Sequence, residues 1–303
     1  MNVPLYGHNR ANAEEGQACD RMYWNEQMKR TPGVLTIALL LGALLSGCQS
    51  PRQSLEALAA EQGQQVEVIA THAYPLLLST PLKRPDTSRI RLYLEGDGHA
   101  WATASQPSLD PSPRQLLIAG MAFSDPTPSL YLARPCQFVS APGCVPALWT
   151  ERRFSPEVLD SLDQALNQIK NRYGNHDFEL IGYSGGAALA LLLAARRDDI
   201  AQVQTLAGNL SPRLWAERLN LSPLKGSLEP LDNRARLAHV RQRHLVGADD
   251  SIVPPALVDS YRRALGQADC LEVVVLPDVS HAEGLDKVWG DWRDRPIQCT
   301  GAR

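Results

Sequence analysis

The stretch FELIGYSGGAALAL, residues 178–191, decides the fold, because an apolar run meets a run of small residues across GYSGG. The first run predicts a buried strand, and the second, rich in alanine and leucine, predicts a helix. Ser184 lies at the apex of the turn between them, with Gly182 and Gly186 two positions away on either side. A strand-to-helix turn this tight needs glycine at both flanking positions and exposes the apex side chain above the sheet edge. The stretch therefore predicts a nucleophilic serine at position 184.

A chance match to this pattern has to be weighed against that interpretation. A GxSxG string occurs in roughly one of ten random chains of this length, given ordinary frequencies of glycine and serine. The alternative is a glycine-rich turn that closes a strand–helix unit around an inert serine. The apolar strand before the turn and the helix after it favour the nucleophile.

Around this unit, strand patterns alternate with helix patterns along the chain. Strands are predicted at residues 66–70, 75–79, 90–94, 129–133, 177–183, 202–207, 243–246 and 271–276. Helices are predicted at residues 114–123, 156–173, from the serine turn to about Arg197, and 254–265. This alternation is typical of an α/β fold with a mostly parallel central sheet and helices on both faces. Residues 65–303 are predicted to form a single domain, with the helical stretch 209–240 as a cap-like insertion.

The composition is that of an ordinary globular protein, with 44% hydrophobic residues, 21% charged residues and a net charge of −3. No basic patch or stripe interrupts the mixed charges, which argues against a nucleic-acid partner. No CxxC pair or clustered Cys/His spacing predicts a metal site. The sequence implies no metal and no organic cofactor.

Residues 1–47 read as a signal-peptide region. Lys29 and Arg30 precede the apolar stretch 34–45, and small residues follow it before Cys48. A charged segment, a short apolar segment and small residues at a cleavage point are the parts of a signal peptide. About twelve apolar residues are too few to span a bilayer, which needs about 20. We expect translation to start at Met28; the alternative is a buried apolar helix that ends in a free thiol.

The sequence Leu-Ser-Gly-Cys at 45–48 resembles the lipobox of bacterial lipoprotein precursors. That resemblance implies a lipid on Cys48, cleavage before it, and a mature chain that begins there. Residues 48–64 would then form the lipidated end and a spacer, with a short helix signal at 55–60, that lifts the domain off the membrane. The expected location is the bacterial cell envelope, on a membrane face toward the periplasm, with the outer membrane favoured over the inner.

Four cysteines remain in the predicted domain, namely Cys136, Cys144, Cys270 and Cys299. An even number of cysteines in an exported protein is usually paired. Four cysteines allow three connectivities. We favour Cys136 with Cys144 and Cys270 with Cys299, because each pair is close in sequence. Buried free thiols are the alternative.

A serine at neutral pH is a poor nucleophile, and it needs a base that is itself oriented by an acid. Open α/β sheets place such groups in loops beyond the carboxyl ends of the strands. The loop GADDSIVP, residues 247–254, contains Asp249 and Asp250. The loop PDVSHAEG, residues 277–284, contains His281. Each has a plain alternative: an aspartate that only caps the next helix, and a histidine that only occupies a surface loop.

His99 and His244 are competing candidates for the base. His99 follows the turn after strand 90–94, and His244 lies inside a predicted strand. The position of His281 after the last strand favours it over both.

Three landmarks together resemble the α/β-hydrolase superfamily: the turn at 182–186, the acid loop and the histidine loop. The resemblance implies a Ser-Asp-His order along the chain, with Ser184 as nucleophile and His281 as base. The pattern G-x-x-D-x-x-V-P of that superfamily assigns the acid to Asp250, and Asp249 remains the alternative.

The resemblance also implies an oxyanion hole formed by the Gly185 amide and an amide from the loop after strand 90–94. Superfamily members often carry His-Gly in that loop, whereas this chain carries EGDG at 95–98. Alignment assigns the second donor to the Asp97 amide, and we expect the Asp97 carboxylate to point away from the developing charge. A plain Asp-Gly turn is the alternative.

The implied activity is that of a membrane-anchored serine hydrolase that cleaves a small or lipid-like carboxylic ester through an acyl-enzyme. Thioesters and amides remain open as substrates, and the oligomeric state is not predicted. Leu-Glu-Gly-Asp-Gly, Tyr-Ser-Gly-Gly and Ala-Gly-Asn-Leu behind a lipobox also resemble uncharacterised bacterial lipoproteins of this superfamily. The alternative function is a non-catalytic envelope lipoprotein that uses the fold as a binding module. Pocket walls are expected from residues 99–127 and 209–240, the latter with Trp215 and Leu219. Packing in the core is the alternative for each of these side chains, and it is favoured for any single one.

Overall fold

The computed structural model describes residues 49–299, which belong to one compact unit. The predicted signal-peptide region 1–47 and Cys48 lie outside the described residues. Within residues 49–299, no helix combines the length and the apolar character that crossing a membrane would require.

The centre of the described unit is an eight-stranded sheet with the strand order β1-β2-β4-β3-β5-β6-β7-β8. Its strands are β1 Gln64–Ile69, β2 Leu76–Pro81, β3 Arg89–Leu94, β4 Leu130–Leu132, β5 Asp177–Tyr183, β6 Ile200–Leu206, β7 Gln242–Gly247 and β8 Leu271–Leu276. All pairs from β4 to β8 are parallel, and β2 runs antiparallel to both of its neighbours. The predicted mostly parallel α/β architecture is confirmed.

The helices of the described residues are α1 Pro51–Glu61, α2 Leu117–Phe123, α3 Pro156–Tyr173, α4 Gly185–Arg196, α5 Pro212–Arg218, α6 Arg234–Leu237, α7 Pro255–Leu265 and α8 Leu285–Trp292. Short 3-10 helices occupy Pro146–Trp149 and Pro230–Asn233. Helix α2 begins three residues later than the sequence predicts, and α8 has no counterpart among the predicted helices.

The sheet separates two hydrophobic cores, because successive side chains of a strand point to opposite faces. On β5, Leu180 is buried in one core and Ile181 in the other. The first core contains residues of α3, α4 and α7, and the second contains residues of α1, α2 and α8. Helices therefore cover both faces of the sheet, as the alternation predicts.

The segment expected to be a spacer is largely helical and belongs to the folded body. Helix α1 begins with a capping box in which Ser50 Oγ accepts the Gln53 amide at 3.2 Å and Gln53 Oε1 accepts the Ser50 amide at 2.9 Å. Leu55 and Ala59 on α1 are buried against α2 and the second core. Residues 51–61 therefore do not act as the expected spacer, because the apolar face of α1 packs on the domain.

The stretch 209–240 is helical and joins the main body of the fold. Leu210, Leu231 and Leu237 from this stretch are buried in the first core. Trp215 on α5 instead borders a cavity that is described below.

Both favoured cysteine pairs are confirmed as disulfides. Cys136 and Cys144 are bonded within the loop after β4, with their Cα atoms 5.7 Å apart. Cys270 and Cys299 are bonded with a Cα–Cα distance of 4.0 Å, which ties the end of the described chain to the start of β8. Within residues 49–299, no group of three or more His, Cys, Asp or Glu side chains is arranged to hold a metal ion.

Candidate active site

Ser184 sits between the end of β5 and the first residue of α4, with φ 48° and ψ −120°. A positive φ is unfavourable for a residue with a side chain, and it persists only where the surroundings hold it. The Ser184 amide donates to the Leu206 carbonyl at 3.1 Å, and the Ser184 carbonyl accepts the Ala187 and Asn209 amides at 3.1 and 2.9 Å. Its hydroxyl makes no helix-cap bond, so it is free to face another partner.

The two flanking glycines are required by space. A Cβ at Gly182 would lie 2.7 Å from the Ala187 Cα, and one at Gly186 would lie 2.6 Å from the carbonyl oxygens of Leu94 and Glu95. These distances are shorter than real Cβ contacts, and the atoms they meet are backbone. The predicted tight turn is therefore confirmed, and so is its reason: a side chain at either glycine would overlap backbone atoms.

A chain of hydrogen bonds joins the serine to a buried acid. Ser184 Oγ lies 3.0 Å from His281 Nε2, and His281 Nδ1 lies 2.9 Å from Asp250 Oδ2. The other oxygen of Asp250 accepts the amides of Ile252 and Val253 at 2.9 and 2.8 Å. The Asp250 side chain is fully buried, whereas that of His281 is 15% exposed. The predicted side chains of Ser184, His281 and Asp250 are thus in contact, with His281 between the other two.

The structure distinguishes the two candidate aspartates. Asp250 faces the histidine, and Asp249 is exposed to solvent. The Asp249 amide instead donates to the Val279 carbonyl at 3.1 Å, which joins the acid loop to the histidine loop. Geometry therefore favours Asp250, as the resemblance implies.

Neither competing histidine, His244 or His99, forms a hydrogen bond with the Ser184 hydroxyl. His244 is buried in β7, where its ring contacts Thr205 Oγ1 at 2.9 Å and Gln242 Oε1 at 3.2 Å. Burial lowers the pKa of His244 to about 3, so it remains neutral. His99 is partly exposed and borders the same cavity as Ser184.

Tyr183, the residue before the nucleophile, helps to place the histidine loop. Its hydroxyl donates to the His281 carbonyl at 3.2 Å, and the two rings lie 5.4 Å apart between centroids. Adjacent residues of the turn thus contact both the backbone and the ring of His281.

The residues expected to form the oxyanion hole lie around the serine. Gly185 is the first residue of α4, and amides in the first turn of a helix have no acceptor within that helix. The loop at 95–98 passes close to the serine, since a Cβ at Gly96 would lie 3.2 Å from the Ser184 Cβ. The donor roles of Gly185 and Asp97 remain predictions.

The Asp97 carboxylate lies against the turn of the nucleophile, and its expected direction away from a developing oxyanion stays a prediction. One of its oxygens lies so close to Gly185 that a Cβ there would overlap it. The carboxylate is paired with Arg134 and, at 2.7 Å, with Arg153 Nη1. Burial alone would raise the pKa of Asp97, but the charges of Arg153 and Arg134 hold it below its ordinary value. The two arginines therefore neutralise a negative charge beside the nucleophile.

These two arginines were missed by sequence reasoning. Arg134 follows β4 and Arg153 precedes α3, so no local pattern connects either residue to Asp97. Their side chains are only 6% and 5% exposed. A buried arginine needs an acidic partner, but the sequence does not say which one.

Glu95 is a second buried acid at this site. It accepts the Tyr131 hydroxyl at 2.8 Å and the amide of Gly96 at 2.9 Å. Burial raises the pKa of Glu95 to about 7, although both hydrogen bonds act in the opposite direction. Its charge is therefore sensitive to pH near neutrality.

The serine and the histidine open into a cavity of about 520 Å³. Seven residues of the stretch 99–127, which was expected to form a wall, line the cavity: His99, Ala100, Trp101, Pro113, Arg114, Gln115 and Leu117. Trp215 contributes from the stretch 209–240, but Leu219 is not among the lining residues. Trp101 and Ile252 are apolar, about half exposed, and also border the cavity. A histidine ring nitrogen that is hydrogen-bonded to a hydroxyl beside such a cavity is placed to exchange a proton with that hydroxyl.

Solved structures share this architecture. The esterase Pf2001 of Pyrococcus furiosus is similar over 77% of this chain and 91% of its own, with a TM-score of 0.56 and 12% identity. This chain has the α/β-hydrolase fold.

Two further structures with the α/β-hydrolase fold extend the comparison. Est1E of Butyrivibrio proteoclasticus is similar over 75% of this chain and 94% of its own, with a TM-score of 0.52 and 13% identity. A putative lipase, lip1, of Acinetobacter baumannii AYE is similar over 81% of this chain and 94% of its own, with a TM-score of 0.52 and 11% identity. Neither a protein-family model nor a curated protein matches the sequence.

Proposed function

We propose that this chain is a serine hydrolase that cleaves carboxylic esters through a covalent acyl-enzyme. The proposal depends on one observation: Ser184 Oγ, the His281 ring and the Asp250 carboxylate form a continuous hydrogen-bonded chain at the wall of a cavity. The observation supports acyl transfer because each group has the partner that its role requires.

In the first half of the reaction, His281 Nε2 accepts the Ser184 proton as the hydroxyl oxygen attacks the ester carbonyl. Asp250 holds the ring through Nδ1 and stabilises the imidazolium that forms. His281 then donates the proton to the alkoxide leaving group, and the acyl group remains on Ser184. In the second half, water takes the place of the hydroxyl, and the same steps release the acid.

The negative charge that develops on the carbonyl oxygen needs hydrogen-bond donors. The amides of Gly185 and Asp97 are the proposed donors, each contributing on the order of 3 kcal/mol to the reduction of the barrier. The position of Gly185 at the start of α4 supports this role, because the positive end of a helix dipole favours nearby negative charge.

The substrate class rests on the site and on the neighbours. Pf2001 is named an esterase and lip1 a putative lipase, and both share the fold of this chain. The cavity mouth has apolar side chains at Trp101 and Ile252, which suit an acyl or alkyl group. A carboxylic ester is therefore preferred over a thioester or an amide.

We further propose that the chain carries a lipid on Cys48 and faces the periplasm from a bacterial membrane, the outer membrane being favoured. The lipobox and the segment before it support this location. Ser50 borders the same surface depression as Leu109 and Pro111. The Pro111 carbonyl accepts the His99 amide at 3.0 Å, so the chain emerges near the loop that borders the cavity.

A fluorophosphonate probe tests the catalytic proposal. The full-length protein should be labelled, and Ser184→Ala should abolish the labelling. Ser251→Ala is the matched control, because Ser251 is an exposed serine in the acid loop, and this variant should label normally. A wild-type protein that is not labelled would instead favour the non-catalytic binding module. Labelling that persists in Ser184→Ala would show that another serine is the nucleophile.

A second experiment separates the substrate classes. A chain-length series of 4-nitrophenyl esters is compared with matched thioesters and amides, and the esters should give the highest kcat/KM. Faster turnover of thioesters or amides would contradict the ester assignment but leave the nucleophile in place.

Membrane fractionation tests the anchor. The wild-type protein should be found with the membranes, and Cys48→Ala should appear in the soluble fraction. Ser184→Ala is the matched control, because it leaves Cys48 and the lipobox unchanged, and this variant should remain with the membranes. Membrane association that persists in Cys48→Ala would contradict the lipid anchor.

A further inference from the structure

Arg153 borders the cavity with a side chain that is only 5% exposed. Its Nη1 donates to Asp97 Oδ2 at 2.7 Å. Its Nε is buried and makes no hydrogen bond with any group of residues 49–299. A buried N–H group without an acceptor is unfavourable, so the guanidinium carries hydrogen-bonding capacity that its contacts with the protein leave unused.

Aromatic side chains hold this guanidinium in place. The Arg153 Cζ atom lies 5.3 Å from the centroid of the Trp215 ring and 5.8 Å from that of Phe154. Trp215 is itself fixed, because its Nε1 donates to the Ile252 carbonyl at 2.9 Å. A planar guanidinium that is already held in one orientation is suited to bind a carboxylate or phosphate.

The charges around the cavity leave an excess of positive charge. Asp97 is shared by Arg134 and Arg153, so this cluster of three residues has a net charge of one positive unit. Arg114 also lines the cavity and is exposed. The remaining acid on the lining is Glu95, whose pKa is raised to about 7 by burial, so it offsets this charge only in part at neutral pH.

The arginine and the nucleophile belong to the same cavity. Asp97 contacts Arg153 through one oxygen and lies against Gly185, the residue after Ser184, through the other. One substrate molecule can therefore contact Arg153 with one group while its carbonyl lies at Ser184.

We propose that Arg153 binds an anionic group carried by the substrate, a carboxylate or a phosphate, while the ester carbonyl is positioned at Ser184. This inference rests on the proposed function and narrows its substrate class to esters that bear a second, negatively charged group. Trp215 packs against the guanidinium, and Arg134 pairs with the other oxygen of Asp97.

The experiment compares three 4-nitrophenyl esters of equal chain length on the full-length protein. One ends in a methyl group, one in a carboxylate and one in a phosphonate. The wild-type protein should favour an anionic ester over the neutral one by roughly 10- to 100-fold in kcat/KM, as expected for hydrogen bonds to a charged group. The carboxylate and phosphonate esters show which of the two anions is preferred.

Arg153→Met should remove this preference, so that the ratio of kcat/KM for anionic and neutral esters falls to near one. Because Arg153 also contacts Asp97, the absolute rates of this variant can fall for every substrate. Arg134→Met is therefore the matched control: it removes the other arginine from Asp97 but does not line the cavity. It should lower the rates for all three esters while it preserves the preference.

Fluorophosphonate labelling of the same preparations separates the two proposals. Normal labelling together with no anionic preference in the wild-type protein would overturn this inference and leave the hydrolase in place. A preference that survives Arg153→Met would also overturn it. A wild-type protein that is not labelled would overturn the hydrolase and this inference together.

Discussion

The carboxylate of Asp97 lies directly against the Cα of Gly185, and no room is left there for a side chain. A Cβ at Gly185 would overlap the carboxylate and lie 2.9 Å from Arg134 Nη1. Gly185, the residue after Ser184, therefore packs closely against Asp97, which forms ion pairs with Arg134 and Arg153.

Gly185→Ala should displace Asp97 and disturb both proposed oxyanion donors. We expect kcat to fall by about 100- to 1,000-fold, the usual effect of losing one such donor. Steady-state kinetics on 4-nitrophenyl esters measures this loss, and circular dichroism checks that the fold is retained.

Gly290→Ala is the control for that variant, because a Cβ at this helical glycine would have nothing within 4 Å. It should leave kcat unchanged and raise the free energy of unfolding by about 1 kcal/mol, since alanine is the better helix former. Equal activity of Gly185→Ala and Gly290→Ala would show that the contact with Asp97 is unimportant.

The two adjacent aspartates of the acid loop should differ sharply in their effect on catalysis. Asp250→Asn removes the negative charge that orients and stabilises the His281 ring, and we expect kcat to fall by about 10,000-fold. Asp249→Asn, at an exposed position, should change kcat by less than about twofold. Comparable losses in both variants, measured by single-turnover kinetics, would argue against Asp250 as the acid.

Glu95 should make folding stability depend on pH near neutrality. Burial raises its pKa from 4.5 to about 7 in the folded protein, so the folded state holds the proton more tightly than the unfolded chain. Its contribution to stability is present below the unfolded pKa and is lost as the pH rises through the folded pKa. A shift of this size corresponds to roughly 3 kcal/mol.

Glu95→Gln removes this titration and keeps a group that can bond both Tyr131 and the Gly96 amide. Urea unfolding at pH 5 and pH 8 should show that its stability relative to the wild-type protein increases with pH. Glu217→Gln, at an exposed position on α5, should follow the wild-type pH dependence. Parallel stability curves for wild-type protein and Glu95→Gln would contradict the raised pKa.

Helix α1 should contribute to stability as part of the core. Leu55 is completely buried, and Leu55→Ala should lower the free energy of unfolding by about 3 kcal/mol, as for other buried leucines. Leu82→Ala is the matched control, because Leu82 is 68% exposed, and it should have little effect on stability. If both variants unfold at the wild-type urea concentration, α1 is detached from the domain in solution.

Much of the sheet and the nucleophile could be predicted because their signals are local. Strands β5 and β8 have the bounds that their apolar runs predict, and the glycines around Ser184 mark a turn that space itself requires. The acid and the histidine were accessible as well, because both lie in loops that directly follow predicted strands.

Helix α8 could not be predicted in the same way. It is eight residues long, contains Gly290 and follows Gly284, which has a φ of 87° and provides no capping side chain. Its stability comes from tertiary packing, since Leu285 and Trp289 are buried and Trp289 Nε1 donates to the Tyr93 hydroxyl at 2.8 Å. A short helix with weak local signals is held by contacts that the sequence does not reveal.

The ion pairs of Asp97 could not be predicted for a related reason. Its direction is set by Arg134 and Arg153, which come from loops separated from it by 37 and 56 residues. Such pairings depend on how the loops pack over the sheet, and a single sequence contains no signal for them.

The docking of α1 limits how far the catalytic cavity can travel from an anchor. With a lipid on Cys48, only Gln49 and Ser50 separate it from the helix, a span of about 10 Å at full extension. Under this proposal the domain stays next to the leaflet, so its encounters with substrate depend on how densely the substrate covers that surface.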